Sequence, residues 1–170
     1  MKSLSLLALC VAVSLGIVVT SFAAELTDPK KAPSGYVKMV KKGDKEELVF
    51  DSTVSMFSAS RLNQILSAYG CTLTDPKAVP STYAKVVKKG DKEEVVFDDT
   101  ATTYSPSSLH RILLAYGLTI TDPSKAPSGY VKTVKKGDKE ELVFDNTTTS
   151  YSPLRFNQVL SAYSRTTEAK

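Results

Sequence analysis

The sequence predicts an α+β fold made of three tandem repeats of about 47 residues, packed into one domain. One observation is a set of motifs that recurs in fixed order: Thr-Asp-Pro, Pro-Ser-x-Tyr, Lys-Lys-Gly-Asp-Lys-Glu-Glu, Val-Phe-Asp and Ala-Tyr. Asp28, Asp75 and Asp122 of the first motif are each 47 residues apart, without insertion or deletion. The other observation is that hydrophobic periodicity changes from strand-like to helix-like within each copy. A fixed period of this length is typical of repeat architectures.

The repeats are preceded by a segment with the order of a secretory signal peptide. Lys2 is followed by an almost wholly apolar run, and small residues at 21–24 offer cleavage after Ala23 or Ala24. The alternative is an uncleaved anchor, because the uncharged span 3–24 approaches the roughly 20 residues that cross a bilayer. We expect an exported protein of the periplasm, the cell surface or the extracellular space, with membrane contact only through an uncleaved signal.

The expected domain boundaries follow from the motifs. They are a signal peptide at 1–24, repeats at 25–70, 71–117 and 118–164, and a polar C-terminal tail at 165–170. Each repeat is expected to run from a short strand, at 25–27, 72–74 or 119–121, through a β-hairpin to an amphipathic helix. Units of this size are marginal alone, so we expect them to pack on one another. A β-propeller has a similar period, but three blades are too few and a helix in each blade is foreign to it.

The hairpin prediction rests on two short β-rich segments around a turn. Residues 36–41 and 47–50 are rich in β-branched and aromatic residues, and Gly43-Asp44 supplies turn chemistry between them. Lysines crowd the first segment and glutamates the second, so opposite charges would face each other across the strands. The same pattern recurs at 83–97 and 130–144. The alternative is a helix that begins at Asp44 and runs through Leu48.

The helix prediction rests on apolar residues at positions i, i+3, i+4 and i+7. They are Leu62, Ile65, Leu66 and Tyr69 in the first copy, Leu109, Ile112, Leu113 and Tyr116 in the second, and Phe156, Val159, Leu160 and Tyr163 in the third. The expected N-caps are Ser58, Ser105 and Ser152, and the expected first helical positions include Pro106 and Pro153. Gly70 and Gly117 are expected to end the first two helices in left-handed conformation.

Catalytic and metal-binding residues are scarce in the sequence. The one histidine, His110, occupies the position of Asn63 and Asn157 in the other copies, and is expected to be packed or solvated. Asp51, Asp98 and Asp145 recur, but each is expected to begin a turn. After removal of the signal, Cys71 is the remaining cysteine, so no internal disulfide is expected. These features predict a non-enzymatic protein without metal or cofactor.

The recurring charged turn is the predicted contact surface. Seven consecutive residues are identical in all three copies at what should be the most tolerant surface. The candidate binding residues are Lys41, Lys42, Lys45, Lys88, Lys89, Lys92, Lys135, Lys136, Lys139, Tyr36, Tyr83 and Tyr130. Phosphate is disfavoured as a ligand because the rest of a P-loop is missing around the turn glycine. Nucleic acid is disfavoured because acidic neighbours neutralise the lysines.

The predicted function is an exported structural or protein-interaction module of the cell envelope. The expected partner is a protein or an envelope polymer, and a homo-oligomer or a dimer linked through Cys71 is also open. The alternative function is a small secreted hydrolase or inhibitor, with its site in the residues around His110.

Overall fold

The computed structural model describes residues 22–23, 25–53 and 57–165, and these form an α+β fold. The helices are α1 (Ala59–Ala68), α2 (Pro106–Ala115) and α3 (Pro153–Ser161). The strands are β1 (Phe22–Ala23), β2 (Val37–Lys42), β3 (Lys45–Phe50), β4 (Ala84–Lys89), β5 (Lys92–Phe97), β6 (Leu118–Ile120), β7 (Val131–Lys136), β8 (Lys139–Phe144) and β9 (Tyr163–Arg165). Most of the predicted signal segment lies outside the described residues.

Each of the three charged turns lies at the tip of an antiparallel hairpin. The pairs are β2–β3, β4–β5 and β7–β8, and each forms its own two-stranded sheet. Gly43 has a φ of +69°, which suits the first position of a two-residue hairpin turn. The hairpin prediction is confirmed, and the alternative helix beginning at Asp44 is wrong because Lys45 opens a strand. The β-branched residues of this segment favour a strand more strongly than the single capping residue Asp44 favours a helix.

All three helices begin where the sequence predicts, and α1 and α2 also end there, whereas α3 ends at Ser161, before the predicted stripe residue Tyr163. The hydroxyl groups of Ser58, Ser105 and Ser152 accept hydrogen bonds from backbone N–H groups three residues later. The C-terminal glycines Gly70 and Gly117 have φ angles of +69° and +74°. All residues of the predicted apolar stripes are buried, although Tyr163 of the third stripe lies in β9 and not in α3.

The Thr-Asp-Pro motif has a different role from the predicted short strand. Residues 25–27 and 72–74 form no strand; the backbone N–H groups of Thr27 and Asp28 instead both donate to the carbonyl of Ala68 at the end of α1. The same contacts recur from residues 74 and 75 to the end of α2, and from residues 121 and 122 to the end of α3. Because the last carbonyls of a helix lack partners within it, this motif supplies the missing donors.

The C-terminal residues of the described chain also differ from prediction. Arg165, the first residue of the predicted polar tail, lies in β9, which pairs antiparallel with both β1 and β6. The guanidinium of Arg165 donates to the carbonyl of Tyr69 at 2.7 Å and contacts the Cys71 sulfur at 3.6 Å. Strand β1 lies inside the predicted signal peptide, so cleavage after Ala23 or Ala24 would remove it while these arginine contacts remain.

The buried apolar stripes of all three helices belong to one hydrophobic core cluster. Cys71 is buried in this cluster as a free thiol, and burial raises its pKa. A buried thiol packs as a small hydrophobic residue and is poorly placed for a disulfide to a second chain. Across the described ranges, no helix has the length and hydropathy that spanning a bilayer requires.

Replacing Gly70 by alanine should destabilise the fold more than the same change at Gly117. Both positions have positive φ, so each alanine costs about 1–2 kcal/mol of left-handed strain. At Gly70 the added Cβ would also lie 2.8 Å from Nη2 of Arg165, whereas at Gly117 it would meet nothing within 4 Å. Displacing the arginine from the Tyr69 carbonyl should cost about 1–2 kcal/mol more. Urea unfolding of both variants measures the difference, and equal losses would show that the Arg165 contact contributes nothing.

Candidate functional site: the three charged arms

The three hairpins, here called the arms, are the most exposed elements of the described chain. They comprise residues 37–50, 84–97 and 131–144. In the first arm every residue from Lys38 to Glu47 is exposed, and only the positions nearest the core are partly buried. The structure therefore places all nine lysines of the predicted contact surface on exposed tips, namely Lys41, Lys42, Lys45, Lys88, Lys89, Lys92, Lys135, Lys136 and Lys139.

Charges on each tip are paired across the two strands. Lys41 lies opposite Glu46 in the strand register, and the Lys42 ammonium lies 3.3 Å from the Glu47 carboxylate. Equivalent ion pairs join Lys89 to Glu94 and Lys136 to Glu141, both at 3.4 Å. These pairs are exposed, so each contributes at most about 1 kcal/mol to stability. Their main effect is to give the three tips the same mixed pattern of charge.

The three tyrosines of the predicted contact surface are placed differently. Tyr36, Tyr83 and Tyr130 are buried at the bases of the arms. Their hydroxyl groups lie 3.1, 2.7 and 2.9 Å from those of Tyr69, Tyr116 and Tyr163. Each ring also packs edge-on against the phenylalanine that ends the arm. They anchor the arms to the core, and we remove them from the contact surface.

Polar groups from a second helix complete each tyrosine pair. The hydroxyl of Tyr69 donates to Oδ1 of Asn157 at 2.7 Å, and that of Tyr116 donates to Oδ1 of Asn63 at 2.6 Å. The hydroxyl of Tyr163 lies 2.7 Å from Nδ1 of His110. These three acceptors were not predicted as structural residues. The signal available in the sequence was that they share one repeat position and can all accept a hydrogen bond.

Burial controls the protonation of this network. It raises the pKa of Tyr69 and of Tyr116 to about 12, and it raises the pKa of Tyr163 well above the ordinary tyrosine value. The hydroxyl groups therefore keep their protons at neutral pH and serve as donors. The side chain of His110 also stacks on Phe144, with ring centroids 4.0 Å apart and 15° between the planes. Such stacking holds the imidazole as a packing group.

The stability of the protein should fall as the pH decreases below about 6.5, the ordinary pKa of histidine. Burial lowers the pKa of His110 in the folded protein, so the unfolded chain binds a proton more readily. The contribution of neutral His110 is therefore complete above the unfolded pKa and is lost as the pH falls toward the folded pKa. His110→Asn, the residue of the other copies, should lose less stability between pH 7 and pH 5. If the free energy of unfolding, measured with urea, changes with pH in the same way in both proteins, protonation of His110 is not the cause of the pH dependence.

The recurring aspartates are turn residues, as predicted. Oδ1 of Asp51 accepts from the backbone N–H of Thr53 at 2.8 Å, and Asp98 and Asp145 make the same bond to the residue two positions later. Hydrogen bonds from the backbone N–H and the side-chain hydroxyl of the threonine two positions later lower the pKa of each carboxyl group. Within the described part of the chain, no group of three or more His, Cys, Asp or Glu side chains is arranged to hold a metal ion.

A shallow groove lies on one face of each arm near its base. The grooves have volumes of about 370 Å³ in the first arm, 280 Å³ in the second and 350 Å³ in the third. Each is lined by a lysine, a valine and an aspartate at equivalent positions: Lys38, Val49 and Asp51; Lys85, Val96 and Asp98; Lys132, Val143 and Asp145. The lysines and valines of this set were not among the predicted site residues, although they recur at the same 47-residue spacing.

The chain matches no protein-family model, no curated protein and no solved structure in the comparisons made.

Proposed function

We propose that this chain is an exported, non-enzymatic repeat protein that serves as a structural or interaction module of the cell envelope, with the three arms as its contact surface. The observation that carries the proposal is the display of one identical charged tip three times from a single hydrophobic core. The identity of these tips needs a reason, because an exposed turn requires few specific residues in order to fold.

The proposal includes three structural repeats that close into a ring. Hydrogen bonds support it: Tyr69 of the first repeat bonds to Asn157 of the third, Tyr116 of the second bonds to Asn63 of the first, and Tyr163 of the third lies beside His110 of the second. Each repeat thus contributes one tyrosine and one acceptor, and no repeat is left at an open end.

Contacts at the beginnings of the helices support the same ring. The N–H of Ser60 in the first repeat donates to the Asp99 side chain of the second, at 2.8 Å. Likewise Ser107 of the second repeat donates to the Asp145 carbonyl of the third, and Leu154 of the third donates to the Asp51 carbonyl of the first. The acceptors of these bonds lie at the bases of the arms. The bonds therefore fix the positions at which the arms leave the core.

A ring with three equal arms suits a repetitive partner. One mixed-charge tip makes a weak contact, but three on one rigid core can raise the overall affinity by about 10²–10⁴ when the geometry allows simultaneous binding. The balanced charge of each tip favours a protein or a mixed-charge envelope polymer as the partner. Nucleic acid would require cations that acidic neighbours do not offset.

The test is retention of the exported protein on isolated envelopes. Lys41 and Lys42 are changed to glutamine first, followed by the equivalent pairs in the other two arms, Lys88 with Lys89 and Lys135 with Lys136. We expect retention to fall steeply with each arm altered, because avidity is lost. Lys30→Gln with Lys31→Gln removes the same charge outside the arms and should leave retention unchanged. Full retention with all three arms altered would overturn the proposed contact surface.

A further inference from the structure

The outer edges of the arms are unpaired in the described part of the chain, since each arm is a separate two-stranded sheet. The backbone bond from the N–H of Asp51 to the carbonyl of Tyr36 fixes which residues face inward. By the alternation of an antiparallel ladder, Met39 and Lys41 direct their N–H and C=O groups outward on the first strand, and Glu46 and Leu48 do so on the second. Such edges are templates for a further strand.

In the first and third arms a helix contacts the second strand. In the first arm the carbonyl of Asp51 accepts from Leu154 at the beginning of α3, and in the third arm the carbonyl of Asp145 accepts from Ser107 at the beginning of α2. The outer half, from Lys45 to Leu48, lies beyond these contacts, and its charged residues are exposed. A new strand therefore has access to the arms at their tips.

Charge distinguishes the two edges. The first strand of every arm carries three lysines and no acidic residue, so two first strands repel each other. The outer half of every second strand carries one lysine and two glutamates. Placed antiparallel about a local twofold axis at Glu46, two copies of this edge set Lys45 of each copy opposite Glu47 of the other, and these two pairs of opposite charge outweigh the one like-charge pair of Glu46 with its counterpart. The second-strand edge is thus complementary to itself, and the first-strand edge is not.

We infer that the second-strand edges at the tips of the arms join copies of this chain to one another by antiparallel backbone pairing. The inference rests on the proposed function, in which the arms are the contact surface, and it names a second copy of the chain as a partner. Since the tips are identical, any arm can pair with any other. A contact that must match itself also explains why the three tips share one sequence.

Three such contacts on each molecule predict growth beyond a dimer. A contact between identical edges is closed after two arms have joined, but the other two arms of each molecule stay free for further copies. A chain with three arms therefore builds a net or a closed shell. Each single contact is weak, because its ion pairs are exposed and its edge is short, so assembly should depend on concentration and salt.

The test measures the mass of the full exported protein by sedimentation velocity over a concentration series, without envelope material. We expect the average mass to rise with concentration, and to fall again at about 1 M salt, where charges are screened within about 3 Å. A protein that stays monomeric at every concentration and at low salt overturns the inference. If that monomer is still retained on envelopes through its arm lysines, the proposed function stands without self-assembly.

Two matched variants locate the contact. Leu48→Pro, Val95→Pro and Leu142→Pro together remove the outward N–H from each second strand, and proline is tolerated where an edge N–H faces solvent. Met39→Pro, Val86→Pro and Thr133→Pro make the same change on each first strand. We expect only the first variant to lose self-association. The inference is contradicted if both variants self-associate to the same extent, or if only the first-strand variant loses self-association.

A charge variant covers the case in which the second-strand prolines prevent folding. Lys45→Glu, Lys92→Glu and Lys139→Glu together leave each second-strand edge wholly acidic, with no change to the backbone. Copies of this variant should repel one another and sediment as monomers, while thermal unfolding shows an intact core. Self-association equal to that of the natural sequence would overturn the inference.

Discussion

Phe156→Ala is expected to lower the free energy of unfolding by about 3–5 kcal/mol. The ring of Phe156 is fully buried, and its centroid lies 6.1 Å from that of Phe57 near the beginning of α1. Truncation removes apolar surface and leaves a cavity at a point where residues distant in sequence meet. Because a domain of this size has a total stability of about 5–15 kcal/mol, the loss is a large fraction of the whole.

The matched control is Leu154→Ala, two residues earlier in the same helix. The side chain of Leu154 is 40% exposed, and its contact with Asp51 is made by the backbone N–H, which alanine retains. The expected change is within about 0.5 kcal/mol. Urea unfolding at pH 7 gives both values, and a loss below about 1 kcal/mol for Phe156→Ala would show that this part of the core is loosely packed.

A peptide of residues 73–117 is expected to be unfolded, whereas the chain from residue 25 onward is expected to unfold cooperatively. The peptide keeps the hairpin β4–β5 and the helix α2, but an isolated hairpin is marginal in water and ten residues are too few for a stable free helix. It loses the Asn63 acceptor of Tyr116 and the Asp145 acceptor of Ser107. Its buried residues would also lose the rest of the core cluster.

Circular dichroism and thermal scans of the peptide and the full chain measure this difference. We expect a coil-like spectrum and no transition for the peptide at 25 °C. A sharp thermal transition in the peptide would mean that each repeat folds independently, and the proposed ring would then be unnecessary for folding.

Local signals in the sequence account for most of the secondary structure. The serine caps and the 3.6-residue stripe predicted all three helices, and the terminal glycines predicted the ends of α1 and α2, because each signal acts within a few residues. The glycine turns and the alternating lysine and valine positions did the same for the hairpins. For these elements local preference and tertiary packing favour the same conformation.

Predictions failed where the partner is distant in the chain. Residues 25–27 resemble a short strand, but Thr27 and Asp28 bond to the end of a helix 41 and 40 residues later. The tail at residue 164 is polar, yet Arg165 reaches Tyr69 across 96 residues of sequence. A sequence pattern does not show which distant residues meet in the fold. The recurrence of Thr-Asp-Pro at the 47-residue period nevertheless indicated that the motif has a structural role.

The candidate site was predicted only in part, because some of its features depend on contacts between residues that are distant in the chain. Exposed lysines follow from charge and turn position, which are local properties. Burial of Tyr36 depends on its pairing with Tyr69, 33 residues away, and a tyrosine at the beginning of a strand gives no indication of that partner. The unpaired edges of the arms follow from sheet topology, which the sequence does not specify.

A double-mutant cycle between Tyr69 and Asn157 tests the proposed ring most directly, because these residues are 88 positions apart and belong to the first and third repeats. The cycle combines Tyr69→Phe with Asn157→Ala and compares urea unfolding of the single and double variants. Tyr116→Phe with Asn157→Ala is the control pair, since Tyr116 bonds to Asn63 instead. We expect a coupling of about 0.5–1.5 kcal/mol for Tyr69 with Asn157 and additive effects for the control. Additivity within about 0.3 kcal/mol for both pairs would contradict the closure of the ring.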